Sequence, residues 1–335
     1  MTEYISLAHG NGGRLMRELI ESVIAPELGD VLLDIQNDAA TLDDIPEDQQ
    51  LMITTDGFTV KPLEFPGGNI GSLAVHGTIN DLAVSGARPL YLSLNMFIEE
   101  GFEVETLRRI LKSLRSAALD ANVKIACGDT KVVPRGEGSG VYFATTGVGV
   151  RSQTLQLGFE HIQDGDAILV SGPVGDHGIA VMLAREQFGL RGDVRSDAAS
   201  VLPFTQSLES LSGLRFMRDP TRGGLATVLN EIMQISGYGI EVYAEKIPVR
   251  DPVKAVCEML GYDPMYLACE GRVVAVVAAD QAETALAKWQ DRSKSKQASI
   301  IGHIKGSLQH VVLQTELGGQ RILEELEDDP LPRIC

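Results

Sequence analysis

The run Ile70-Gly71-Ser72-Leu73-Ala74-Val75-His76-Gly77-Thr78-Ile79-Asn80-Asp81-Leu82-Ala83-Val84-Ser85 is followed closely by Leu90-Tyr91-Leu92-Ser93-Leu94-Asn95-Met96-Phe97-Ile98. The first reads as a helix and the second as a strand, by length and by apolar spacing. A second helix over Val104–Asp120 follows, then strands over Val123–Cys127 and Val141–Val150. Upstream, Leu15, Leu19, Ile20, Val23 and Ile24 carry the spacing of a helix entered from the glycine-bearing His9-Gly10-Asn11-Gly12-Gly13, and short β-rich runs lie at Val31–Ile35 and Leu51–Thr55. Together these make an α/β unit.

Polar, glycine-bearing sequence around Ser152–Gly165 ends that unit, and a strand over Asp166–Ser171 opens another. The second half mixes strands (Val273–Ala278, Ser299–Ile304, Val311–Gln314) with helices (Ile179–Phe188, Leu225–Ile235, Pro252–Leu260, Gln281–Arg292). At 335 residues the chain exceeds one ordinary core. The expected organisation is a first domain over 1–155, a second α/β domain over 156–320, and an acidic spacer with a mobile tail over 321–335. The tail ends Pro330-Leu331-Pro332-Arg333-Ile334-Cys335, where two prolines forbid helix or central strand, so the thiol sits on an arm.

Composition excludes several functions. With 29 basic against 46 acidic residues the net charge is −17, so neither nucleic acid nor an anionic membrane surface is an expected partner. No apolar run approaches the roughly 18 to 20 residues that span a bilayer, and no leader pattern opens the chain, so the expected location is cytoplasmic. Cys127, Cys257, Cys269 and Cys335 form no C-x-x-C pair, which argues against a zinc site or a disulfide framework, and the first three read as small buried hydrophobes.

Four aspartates share similar settings: Asn37-Asp38-Ala39-Ala40, Thr55-Asp56-Gly57, Asn80-Asp81-Leu82-Ala83 and Gly128-Asp129-Thr130-Lys131. Taken singly, each is a turn former or helix cap. Around one cleft they would repel unless cations neutralised them, and hard oxygen donors suit Mg²⁺ on a polyphosphate. Two further stretches read either as anion cradles or as simple tight turns. One is Ser171-Gly172-Pro173-Val174-Gly175-Asp176-His177-Gly178, between a strand and a helix. The other is Arg218-Asp219-Pro220-Thr221-Arg222-Gly223-Gly224, with two guanidinium groups beside an expected proline-opened helix.

Five segments carry a resemblance: Phe65-Pro66-Gly67-Gly68-Asn69-Ile70-Gly71, Gly77–Ala83, Gly128-Asp129-Thr130-Lys131-Val132-Val133, Asp219–Gly224 and Pro332-Arg333-Ile334-Cys335. From His9 to Cys335 the chain resembles the HypE family of hydrogenase maturation factors, a branch of the ATP-using enzymes typified by aminoimidazole ribonucleotide synthetase. The terminal Pro-Arg-Ile-Cys separates that family from relatives such as thiamine monophosphate kinase. Asn69 stands where the family often has an acidic residue and is not counted as a metal ligand.

The resemblance implies a two-domain PurM-like α/β (α+β) fold, the first domain pairing with its counterpart in a homodimer through strands that close a shared β-barrel. It implies that a carbamoyltransferase, HypF, loads the Cys335 sulfur, that ATP then drives dehydration of the thiocarbamate to a thiocyanate, and that cyanide passes to iron on a HypC–HypD complex. ATP and Mg²⁺ are the implied cofactors. The family metal positions fall on Asp38, Asp56, Asp81 and Asp129, with Gly12, Gly13 and Arg222 also toward the nucleotide. Lys131 is then a phosphate clamp or a base, Glu270 is the base, and Arg333 guides the arm. The glycine loop after His9 becomes a lid, and His9 and His177 are candidate phosphate contacts. Two other functions share some of these features: a thiamine-monophosphate-kinase-like enzyme, which has no use for Cys335, and a non-enzymatic scaffold for metallocentre assembly, which has no use for Asp81 and Asp129.

Overall fold

The computed structural model describes residues 4–10, 14–31, 45–185, 193–292 and 297–325. Gly12, Gly13, Asp38, the expected strand beyond Val31, Arg333 and Cys335 fall outside them. The chain divides into two compact units whose main break lies between Ser152 and Gln153, with Ala83–Gly86 grouped with the second.

In the first unit, α1 (Arg14–Leu19) and α2 (Ala25–Leu28) are joined by a π-helical turn over Ile20–Ile24. They are followed by β1 (Gln49–Phe58), the short strands β2 (Glu64–Phe65) and β3 (Gly68–Asn69), α3 (Ile70–Val84), β4 (Arg88–Glu99), α4 (Val104–Asp120), β5 (Lys124–Val133) and β6 (Val141–Ser152). Val104, Leu107, Ile110, Leu111, Leu114, Ala117 and Ala118 form the single buried stripe that defines α4. By contrast α3 is apolar nearly all round and buried nearly throughout. Its start is fixed by Asn69, whose Oδ1 accepts the backbone N–H groups of Gly71 and Ser72 at 2.9 and 3.1 Å, while Ser72 Oγ accepts the Asn69 N–H at 3.1 Å. Asn69 is therefore a helix cap.

The sheet runs β1-β6-β4-β5, antiparallel except for the β4–β5 pair. Because side chains alternate along a strand, one face carries Phe58, Leu92, Leu94, Met96, Ile98, Phe143 and Thr145. On that face α3 lies so close to β6 that a Cβ at Gly147 would come within 2.8 Å of Thr78 and 3.0 Å of Leu82. The opposite face is open, with Leu51 55%, Ile53 71% and Phe97 40% exposed.

The second unit comprises β7 (Ala167–Val170), α5 (Asp176–Ala184), α6 (Leu202–Leu208), β8 (Leu214–Arg218), α7 (Gly224–Ser236), β9 (Gly239–Tyr243), α8 (Asp251–Leu260), β10 (Val274–Val277), α9 (Ala282–Arg292), β11 (Ser299–Lys305), β12 (Val311–Gln314) and β13 (Gln320–Ile322). Its sheet has the order β13-β12-β9-β11-β7-β10-β8. Every residue of β7 and β10 is buried, so the centre of the sheet is covered on both faces. Leu225, Leu229 and Ile232 of α7 pack into a core with Ile168, Val242, Val274 and Ile304. The fully buried Trp289 of α9 donates its indole N–H to the Phe204 carbonyl of α6 at 3.1 Å.

The structure departs from expectation in definite places. Strands β8 and β9 and helix α6 escape the sequence pattern, because Arg215 and Glu241 interrupt the apolar runs of the two strands and the helix makes only about two turns. Strand β5 runs on to Val133 because its parallel ladder with β4 continues to the Glu99–Val133 pair. Cys127, expected to be buried, is exposed; Cys257 and Cys269 are buried. Helix α7 starts at Gly224 rather than at Pro220, since Gly223 and Gly224 both hold left-handed backbone (φ 71° and 60°) between the proline and the first turn.

Candidate functional site

In the first unit two of the expected carboxylates come together. Alternation turns Thr54 and Asp56 of β1 toward α3, where Gly77 and Asp81 lie one turn apart. Thr54 Oγ1 donates to Asp81 Oδ2 at 2.9 Å, and a Cβ at Gly77 would stand 3.5 Å from Asp56 Oδ2. That Cβ would also stand 2.8 Å from the Phe58 ring, so only glycine lets β1 and α3 approach this closely. Both carboxylates keep partial access to solvent.

Asp129 and Lys131 sit elsewhere. Asp56 is registered with Thr145, whereas Asp129 is registered with Asn95 and through it with Ala144, so Asp129 belongs to the opposite set of the alternation. It shares the open face with Cys127 and with Lys131, whose Nζ lies 3.0 Å from Asp129 Oδ2. A strand-end reading of the four aspartates implies one shared cleft. Within this unit the register instead separates Asp129 from the Asp56–Asp81 pair, and among the described residues no cluster of three or more metal-ligating side chains forms.

The second unit gathers three stretches that are far apart in sequence. The Cys269 N–H donates to the Pro220 carbonyl at 2.9 Å, and the Gly178 N–H to the Ala268 carbonyl at 3.2 Å. The Gly175 N–H reaches Cys269 Sγ at 3.3 Å. A Cβ at Gly224 would lie 2.6 Å from the Leu267 carbonyl oxygen. The 171–178 turn, the 218–224 turn and the 267–272 segment therefore form one packed hub, and Glu270 lies in it, 3% exposed. Of the two guanidinium groups, Arg218 pairs with Glu231 at 3.4 Å, and Arg222 is exposed.

The 171–178 turn holds carboxylate and guanidinium as well as glycine. Asp176, wholly buried, lies 3.2 Å from Arg272 Nη2 and 3.2 Å from Arg250 Nε. Arg272 Nε donates to the Pro173 carbonyl at 2.7 Å and stands 3.5 Å from Asp197 Oδ2. Burial, then the neighbouring charge of Asp197, raises the Asp176 pKa to about 6 despite both arginines. Burial likewise pushes the Cys269 thiol well above its usual range, which removes it as a nucleophile. His177, which sequence suggests as a phosphate contact, is fully buried, with Nδ1 2.8 Å from Ser196 Oγ. His9 is 6% exposed and its Nδ1 lies 2.9 Å from Ser6 Oγ. Sequence reasoning misses Asp197 and Arg272, and no local motif marks them, because only their meeting across 75 residues makes them a pair.

Two α/β units, one holding paired carboxylates across a glycine contact and the other a hub of glycine turns, define the class of AIR synthase related proteins. Residues 36–151 match the N-terminal domain of that class and residues 163–313 its C-terminal domain. Within the class the chain belongs to the HypE family of hydrogenase maturation proteins. It is 43% identical to the carbamoyl dehydratase HypE of Azotobacter vinelandii, covering 99% of this chain and 97% of the relative, and 41% identical to that of Escherichia coli K12, covering 99% of both. A crystal structure of the maturation protein HypE in complex with ATP superposes with a TM-score of 0.92 at 41% identity, over 98% of this chain and 99% of the other. Thiamine-monophosphate kinase from Stenotrophomonas maltophilia is 21% identical with a TM-score of 0.65, over 94% of this chain and 99% of the other, and shares the fold alone.

Proposed function

We propose that this chain uses ATP to dehydrate an S-carbamoyl group on Cys335 to a thiocyanate, supplying cyanide ligands for the iron of a nickel–iron hydrogenase. The observation that carries the reading is the β1–α3 contact, where Asp56 lies beside Gly77 and Asp81, one turn on, accepts from Thr54, in a chain whose relatives are carbamoyl dehydratases and include a structure with ATP. Carboxylate oxygens are suitable donors for Mg²⁺, and Asp56 and Asp81, on the same β1–α3 contact, are of the chemistry that ion takes. Asp56 and Asp81 would hold it, with Asp38 as a further ligand and Asp129, which faces the other side of the sheet within this unit, supplied by the partner subunit of the homodimer. Bound there, the ion would offset the charge of the triphosphate.

In the reaction the carbamoyl oxygen attacks the γ-phosphorus, ADP leaves, and one N–H proton is released as the C=N bond forms. Removal of the second N–H proton then expels phosphate and leaves S–C≡N. The amide oxygen, a poor leaving group, thereby departs as phosphate. Glu270, a buried carboxylate, accepts a proton. Lys131, paired with Asp129, clamps phosphate, and Arg222 and the Gly12-Gly13 loop attend the nucleotide.

Carbamoyl loading is assigned to a HypF protein, in keeping with a solved HypE–HypF complex whose HypE chain is 42% identical, over 92% of this chain and 99% of that one, with a TM-score of 0.80. Delivery is assigned to a HypC–HypD complex in the cytoplasm. The open sheet face bearing Leu51, Ile53 and Phe97 supports a homodimer in which two such faces close a barrel. The part of the 321–335 segment that follows β13 and the buried Leu323 serves as the arm.

The test is mass analysis of the C-terminal peptide after carbamoylation by the partner and again after Mg-ATP. A gain of one carbamoyl group followed by loss of one water is expected, with Asp81→Asn abolishing the second step. A carbamoylated peptide that persists with Mg-ATP refutes the assignment.

A further inference from the structure

The backbone of Glu270 is held by a neighbouring segment. Its backbone N–H donates to Asp197 Oδ1 at 3.2 Å, and its carbonyl accepts the Ala199 N–H at 3.4 Å, so the 197–199 segment grips both sides of the residue. The grip is tight, since a Cβ at Gly271 would fall 2.0 Å from the Asp197 carbonyl oxygen, a space only glycine leaves. Asp197 is held in turn by Arg272, which is anchored to the Pro173 carbonyl and to Asp176 at the start of α5. The next-door Ser196 is latched to His177 at 2.8 Å. A continuous polar chain thus runs from α5 through Asp176, Arg272 and Asp197 to the peptide of Glu270.

This chain is a poor way to obtain stability. Burying two carboxylates against Arg272, with Arg250 on Asp176 as well, costs desolvation that apolar packing would avoid, and Asp176 Oδ1 and Asp197 Oδ2 are buried without a hydrogen-bond partner among the described residues. What such a network does supply is a unique orientation, because each member has one geometry that satisfies its neighbours. Proton transfer depends steeply on that orientation.

We propose that Asp197 is a positioning residue for Glu270, its carboxylate setting the backbone from which the proton-accepting side chain projects. The inference rests on the reading of Glu270 as the base. Asp197 touches no substrate in this scheme and acts only through Glu270.

The experiment uses the full-length protein carbamoylated at Cys335, measuring the single-turnover rate of water loss with Mg-ATP across pH. Asp197→Ala is expected to slow that step by about 10- to 100-fold while the half-saturating ATP concentration stays within about twofold. Asp197→Asn keeps an oxygen to accept the Glu270 N–H and should recover most of the rate. In a Glu270→Gln background, Asp197→Ala should add less than about a twofold loss, since both changes remove one function. Thermal unfolding of each variant separates misfolding from misplacement, and if Asp197→Ala does not fold, Asp197→Ser, whose hydroxyl is too short to reach the Glu270 N–H, takes its place alone and in the double mutant with the same expected losses. An Asp197→Ala protein that is folded and turns over at the wild-type rate overturns the proposal. So does a loss that multiplies fully with Glu270→Gln. Wild-type turnover by Glu270→Gln alone instead removes the assignment of the base, and the positioning role with it.

Discussion

His76 makes the first unit acid-sensitive in a way that can be measured. It lies on α3, the helix that bears Gly77 and Asp81, and its Nδ1 is buried without a hydrogen-bond partner among the described residues. Burial lowers its pKa from 6.5 to about 4, against a smaller opposite effect of Asp120. The folded state therefore resists a proton that the unfolded chain accepts. Stability conferred by neutral His76 is present above pH 6.5 and is lost as pH falls toward 4. At about 1.4 kcal/mol for each tenfold change in proton concentration, that interval amounts to about 3 kcal/mol.

Comparing the wild type with His76→Gln in urea between pH 7 and pH 4 isolates the effect, because other titrating groups are common to both. The readout must report on the first unit. Trp289 is the only tryptophan and lies in the second, so its fluorescence is unsuitable. Hydrogen exchange of α3 peptides serves instead. The wild type should lose about 3 kcal/mol relative to the variant across that interval. Parallel pH profiles for the two proteins would refute the reasoning.

Asp176 has the opposite sign: with its pKa raised from 3.8 to about 6, its contribution is present below pH 3.8 and lost as pH rises through about 6. Asp176→Asn should accordingly gain stability relative to wild type as pH rises from 4 to 7, read by Trp289 fluorescence in urea; a constant difference would count against it. Gly77→Ala should cost about 1–3 kcal/mol by forcing β1 away from α3, and should weaken the thermal shift on adding Mg-ATP, whereas an unchanged melting curve would show that Phe58 yields freely. Ile53→Lys, on the open sheet face, should shift the protein toward monomer in sedimentation with its circular dichroism preserved; an unaltered sedimentation coefficient removes that face from the interface.

Several features are legible in the amino-acid pattern alone. The apolar stripe of α4 announces itself at its full length, and β12 falls where its pattern puts it, because each is defined by neighbours in sequence. The glycines of the 171–178 and 218–224 turns mark places where backbone comes close, although not what comes close to them. At those turns the partners are Leu267, Ala268 and Cys269, more than forty residues away.

Sequence by itself determined the α/β character, the two-part organisation, the family and the residue types available for phosphate and metal chemistry, since these reside in local pattern and motif. Tertiary structure alone decided which of those residues meet. Asp56 and Asp81 share a face while Asp129 takes the other, because strand register, a long-range property, assigns each side chain to one side of a sheet. It also decided that Glu270 is buried, that His177 is a latch and that Asp197 sets the backbone of Glu270, because each depends on hydrogen bonds closed between distant segments.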